Sequence, residues 1–395
     1  MKSNSLKSQV TMLMIVGLVL FIIVSLVLYL SKSAVKKQIQ QNIKKTQETA
    51  IEIQPVKEFV TKCLDKLAKD AIVLLGKQGG YIYASQGGAL VDYTDTDEGL
   101  FFVKHNSLNV AYNILPPKFA APPYSSEIPD YPWQTFPYKT ATSSAEIFEG
   151  FFGISNIPPL NSSEGPNSIQ TQIESFIDSN IGSCLNFNIF EKQGLSIDMQ
   201  PSKTTVVIGS GDVSVQSKIP IKISDPATKE FAELNEFSTN LNIRLKDVYF
   251  FTKELIENDI KNIKFNLGST NNSKDFMNIK LIENIFSNDD LLIVTDEKSL
   301  ILGKPFEYVF ARRNRAPALY YIRKTALQFP QGYEIKKEDL LQNSQLKAEE
   351  PDEDNYTFTI TPQLPKILNI PQIKFKVEVS DGQLLDYQIV TVNRI

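Results

Sequence analysis

The chain has 395 residues, with 41 Lys and Arg against 45 Asp and Glu, a net charge of −4, one histidine and two cysteines. Charges of both signs are interspersed, which argues against a nucleic-acid partner, because phosphate binding needs a concentrated basic face. A single His with two distant Cys cannot build a tetrahedral metal site, and no G-x-S-x-G elbow is present to place His105 in a nucleophilic triad, so the sequence predicts no catalytic activity.

Residues 1–9 form a short polar tail ahead of an uninterrupted apolar run, Val10 to Leu30. At about 1.5 Å per residue such a run gives roughly 32 Å of helix, enough for a hydrocarbon core of about 30 Å, and it predicts a transmembrane helix over 10–30. The run is longer than a secretory h-region and ends in Leu28-Tyr29-Leu30-Ser31-Lys32 without an A-x-A cleavage pattern, which favours an uncleaved anchor. Lys32, Lys36, Lys37, Lys44 and Lys45 follow the span, and a literal positive-inside count would place the large domain in the cytoplasm. Composition and cysteine usage favour the opposite placement, a single-pass protein of the cell membrane with its large domain extracellular. The basic cluster Lys32 to Lys45 reads either as a contact with anionic head groups or as a solvated face of a stalk.

Residues 31–76 are expected to be a helical stalk, with Val56, Phe59, Val60, Leu64, Leu67, Ala71 and Leu74 recurring at helical spacing, Pro55 in a first turn and Gly76 at the end. Cys63 and Cys184 stand near the ends of two similar amphipathic segments, a placement that suggests a disulfide; the alternative is a pair of buried reduced thiols. Residues 77–312 are expected to form an α+β ectodomain. Within it, the Gly-rich stretches from Gly79 and Gly87 read as strands around a turn, and the Pro/aromatic loop 115–138 can be neither helix nor central strand. Aromatic rings on that loop could stack on a glycan or hold a protein, or pack back on their own domain. Thr204 to Ile223 predicts a hairpin about Gly209-Ser210-Gly211-Asp212. Asp225-Pro226 then reads as a helix start, and Leu234, Phe237, Leu241, Leu245, Val248 and Leu255 as the stripe of one helix reaching Ile260. Glycosylation sequons occur at Asn161, Asn271 and Asn355.

Two stretches carry family resemblances. Gln9 and Thr11 ahead of the apolar run resemble the processing site of archaeal type IV pilin-like (class III) signal peptides, although Leu13 stands where a Glu is expected. The N-terminus as a whole is similar to that of single-span surface proteins of small-genome archaea. In residues 313–395, Asn314-Arg315-Ala316-Pro317, then Ala348-Glu349-Glu350-Pro351-Asp352-Glu353-Asp354, then Val377-Glu378-Val379-Ser380-Asp381-Gly382, resemble the signatures of cadherin-like or dystroglycan-type Ig-fold modules. That resemblance implies a C-terminal Ig-like β-sandwich serving as an extracellular spacer or adhesive module. It also implies calcium, with Glu350, Asp352, Asp354 and Asp381 as the candidate metal ligands, because Ca²⁺ requires several hard oxygen donors. Glu350 replaces the expected Asp, and Arg315 stands where an acidic residue would help.

The expected fold class is therefore α+β, made of an N-terminal transmembrane helix, a membrane-proximal α+β domain and a C-terminal Ig-like β-sandwich. The expected function is a membrane-anchored cell-surface structural, adhesive or binding protein. Its partners would be membrane lipid through residues 10–30 and a surface protein or glycan. The alternatives are a pilin-like filament subunit and a surface carbohydrate-active enzyme.

Overall fold

The computed structural model describes residues 53–116, 152–227, 229–319, 322, 327–341 and 346–395, together with the paired short strands Lys139–Thr140 and Ser143–Ser144. The apolar run 10–30, the signal-like residues Gln9 and Thr11, the basic cluster and the Pro/aromatic loop from 117 to 138 lie outside the described residues.

Among the described residues there are three long helices: α1 (Gln54–Lys77), α2 (Ile169–Cys184) and α3 (Leu245–Lys261). Helix α1 starts with a proline in its first turn and buries Val56, Val60, Leu64, Ala68, Ala71, Ile72 and Leu75 along one face. This face lies at the centre of the main hydrophobic core, so residues 54–77 are an integral core helix and not a free-standing stalk. Gly76 does not end the helix. It permits close approach, since a Cβ there would sit 2.4 Å from the Glu307 carbonyl oxygen and 2.7 Å from the Phe306 ring. The stop comes from Gly79 and Gly80, whose φ values of 71° and 89° suit only glycine at low cost. The next stretch is a turn with a short 3₁₀ helix, Ala84–Gln86, and a single bridge from Tyr83 to Leu90, where strands were expected.

Cys63 on α1 and Cys184 at the end of α2 form a disulfide with a Cα–Cα distance of 6.1 Å. Beside it, the Phe59 ring meets Phe187 and Phe190 edge to face at 5.9 and 5.7 Å. After the strands β1 (Phe102–His105) and β2 (Leu108–Leu115), the chain builds a sheet from β3 (Lys203–Ile208), β4 (Val213–Ser224) and β5 (Phe231–Leu241), and both helices pack against it. In this sheet β4 is central, paired with β5 on one side and with β3 and Ser196–Met199 on the other.

The strand β5 overturns part of the expected long helix. Its inward residues are Ala232 and Leu234, then Phe237 and Leu241, with Asn235 and Glu236 both exposed where the register shifts between Lys218 and Ile221 of β4. A register break inserted into a two-residue period yields spacings of three and four, which look helical in sequence. Pro220 sits at the break, one of the few places a sheet tolerates proline. Asp225 likewise starts no helix; its Oδ1 accepts the Ala227 N–H at 2.8 Å in the turn joining β4 to β5.

A second sheet has the order β1-β2-β8-β7-β6, where β6 is Met277–Phe286, β7 Asp289–Ile301 and β8 Lys304–Arg312. Its β2–β8 contact is parallel, through Ala311 opposite Tyr112. A separate hydrophobic core forms around Phe375, Val377, Val379 and Val392, joined by Leu319, Ile335 and Leu368. There β9 (Thr357–Thr361), β10 (Gln372–Ser380) and β11 (Leu385–Arg394) pair antiparallel, with Leu327–Phe329 added parallel to β11.

The expected fold class requires correction. Of the described residues 26% are helical and 40% in strands, arranged as mixed sheets, and among them no helix is long and apolar enough to cross a membrane. In place of α+β with a transmembrane helix and an Ig-like β-sandwich, the described residues form a mostly-β assembly of mixed sheets. Beside the four-stranded C-terminal sheet, the described residues add two-residue strand pairs and the short helix Lys337–Leu341, whose Leu340 joins the core. Pro330, Pro351, Pro362, Pro365 and Pro371 remove backbone donors around those segments and keep the ladders short.

Candidate cation site

Where the main core meets the C-terminal one, the connecting segment after β8 runs through a concentration of charged side chains. Three of the four acidic residues singled out by resemblance converge there: Glu350, Asp354 and Asp381 each present a carboxylate oxygen, and these oxygens lie within 4.8 Å of one another. Calcium binds oxygens at 2.3–2.6 Å, so ligands on opposite sides of one ion stand about 5 Å apart or less, and the spacing suits it.

Local hydrogen bonding builds the site. The Asp352 and Asp354 backbone N–H groups donate to Glu350 Oε2 at 2.7 and 2.8 Å, curling the acidic segment around the glutamate. Asp381 opens the turn between β10 and β11, where its Oδ1 accepts the Gln383 and Leu384 N–H groups, both at 2.6 Å. Asn314 Nδ2 donates to Asp381 Oδ2 at 3.0 Å, and the Asn314 backbone N–H is anchored on Asp289 Oδ1 at 2.7 Å. Asp289 in turn accepts the Tyr112 hydroxyl proton, and burial lifts its pKa to about 6.

What remains over is a set of acceptors. Glu350 Oε1, Asp354 Oδ2 and Asn314 Oδ1 are buried without a hydrogen-bond partner. Asn314 is only 6% exposed, and its amide faces Asp381, so a half-turn of the side chain would exchange a donor for a fourth oxygen. Burial, then Asp352, pushes the Glu350 carboxyl up to about 8. The same two causes, followed by Asp290 and Asp381, push Asp354 up to about 7. Carboxylates held together with unsatisfied oxygens favour either a proton or a cation between them. The donor set is all oxygen, with no thiolate or imidazole among the converging groups, and fits calcium better than a softer metal.

Asp352 does not join this group. Its side chain is 1% exposed and held by Arg315, whose backbone N–H donates to Oδ2 at 2.6 Å while Nε and Nη2 reach Oδ1 at 2.9 and 2.7 Å. Arg315 also meets Asp259 Oδ2 at 2.8 Å, and Arg312 bridges Asp259, Asp290 and Asp352. Arg315 thus withdraws one expected ligand and neutralises it. Arg312, Asp259 and Asp290 were not among the residues singled out from the sequence, and Asn314 stood there only as part of the Asn314-Arg315-Ala316-Pro317 motif, with no role as a donor. Asp259 had left a trace, an acid three to four residues after Leu255 and Ile256 on the apolar face of α3.

The other expected positions are dispersed. Asn161, Asn271 and Asn355 are exposed, as sugar attachment would require, and Asn161 Nδ2 is bonded to Glu164 Oε1 at 2.7 Å. His105 is half-buried at the end of β1, where its Nε2 lies 2.8 Å from Asn106 Nδ2. No protein-family model and no curated protein matches the chain, so the resemblances rest on the quoted residues alone.

Proposed function

We propose that this chain is a non-catalytic structural or binding protein of the cell surface whose C-terminal module takes up calcium at Glu350, Asp354, Asp381 and Asn314. The observation that carries the reading is the convergence of the three carboxylates, with Glu350 Oε1, Asp354 Oδ2 and the neighbouring Asn314 Oδ1 buried and unpartnered. Placement outside the cytoplasm is supported by the disulfide, since such bonds persist in oxidising compartments. Lipid contact through the apolar residues 10–30 belongs to the same proposal, as does a surface protein or glycan as partner. Bound calcium would supply the positive charge that lets Glu350 and Asp354 ionise together; the protein's part is to pre-form the donors from the 350–354 segment and the 381–384 turn.

Terbium luminescence sensitised by tyrosine, competed with calcium and with magnesium, tests the site directly. Calcium should displace terbium far better than magnesium does, and Asp354→Asn with Glu350→Gln should abolish the signal. At a calcium concentration of about 100 times Kd, binding to the folded state alone adds roughly 2.7 kcal/mol. An unchanged melting temperature in calcium and no terbium signal would refute the reading. Protease accessibility of the C-terminal module on intact cells tests the placement.

A further inference from the structure

Arg312, Arg315, Asp259, Asp290 and Asp352 are 0–4% exposed and form one connected network. Its members come from separate parts of the chain. Asp259 lies on α3, Asp290 at the start of β7 and Arg312 at the end of β8, all in the body that holds the main core. Asp352 belongs to the segment leading into the C-terminal module, and Arg315 to the connection between the two. Two backbone carbonyls complete the set: Arg315 Nη1 donates to Phe152 O at 2.9 Å and Nη2 to Pro351 O at 3.0 Å, one from each side of the junction. Arg312 Nη2 also reaches Asp352 O at 3.2 Å.

We infer that Arg312 and Arg315 are resident counter-cations that fix the C-terminal module against the main body without any exchangeable metal. Every carboxylate of the network already has a guanidinium at 3.2 Å or closer, so a metal ion could enter only by displacing an arginine. The open carboxylates Glu350, Asp354 and Asp381 lie outside this network and retain some exposure. An ion exchanging at Glu350, Asp354 and Asp381 would therefore leave the arginine contacts of Asp259, Asp290 and Asp352 in place, and the orientation of the two cores is held by groups that cannot dissociate from the chain. Planar guanidinium forks suit this role because each can bridge two carboxylates and a carbonyl at once. The inference is independent of the calcium reading, since it concerns what remains when no ion is bound.

The test is a spin-label distance measurement on the full chain carrying Ser238→Cys on β5 and Gln363→Cys after β9, both exposed positions; the native cysteines are bridged and take no label. In EGTA the distance distribution should stay as narrow, and centred at the same value, as in calcium. Broadening or a shift in EGTA would overturn the inference. Arg315→Gln should lose the single narrow peak in both buffers, and a retained narrow peak would overturn it equally. Should Arg315→Gln fail to fold, Asp352→Asn provides the same comparison, with loss of the narrow peak expected and its retention overturning the inference.

Discussion

Replacing both bridged cysteines, Cys63→Ala with Cys184→Ala, opens a loop closed across 121 residues. In the chain-entropy treatment a loop of that length removes about 16 cal/mol/K from the unfolded ensemble, or about 5 kcal/mol at room temperature. Native-state relaxation reduces such values, so the expected loss is about 2–5 kcal/mol. Packing contributes little to the difference, because each substitution removes only a sulfur atom while the Phe59, Phe187 and Phe190 rings stay in contact. The assay is urea unfolding followed by far-UV circular dichroism, comparing the native chain with the double variant and with the native chain under reductant. Reductant should reproduce the double variant and leave the double variant itself unaffected. A loss below about 1 kcal/mol, or a reductant effect that persists in the double variant, would refute the argument that this bridge restrains the unfolded chain.

Two further outcomes follow from named residues. Glu350 and Asp354 have folded-state pKa values raised to about 8 and about 7 from 4.5 and 3.8, so between about pH 4 and 8 the folded chain holds protons that the unfolded chain has released. Stability in EGTA should therefore fall as pH rises through that window, and calcium should flatten or reverse the slope; parallel melting curves with and without calcium at every pH would count against it. Gly76→Ala should destabilise despite the helix preference for alanine of about 1 kcal/mol, because the added Cβ meets a carbonyl oxygen and an aromatic ring, an overpacking cost of about 1–3 kcal/mol. A rise in the urea midpoint of Gly76→Ala would show that the Phe306 strand yields more easily than its burial implies.

Much of the local structure was legible in the residues. The hairpin of β3 and β4 announces itself by alternation about a Gly-Ser-Gly-Asp turn, and β9, β10 and β11 by their own alternation, because in each case the pairing partner or the core face is encoded within a few residues. The two cysteines could be paired because each stands near the end of an amphipathic segment; Cys63 is on the buried face of α1 and Cys184, half-buried, closes α2. Where a register break disturbed the period, as along β5, the same reasoning mistook a strand for a helix, since spacing alone cannot distinguish a broken two from a 3.6.

At the charged junction, sequence supplied the candidates and tertiary structure assigned their roles. Glu350, Asp352 and Asp354 are alternate acids in one short segment, and nothing local separates Asp352 from its neighbours. Arg315 separates it, arriving from 37 residues upstream together with Asp259 of α3, so that one carboxylate is neutralised and two are left open. Composition and periodicity determine which residues seek burial and which elements form, because those preferences act over a few residues. Which charge meets which depends on how two separate cores are brought together, and that is settled by packing across the whole chain.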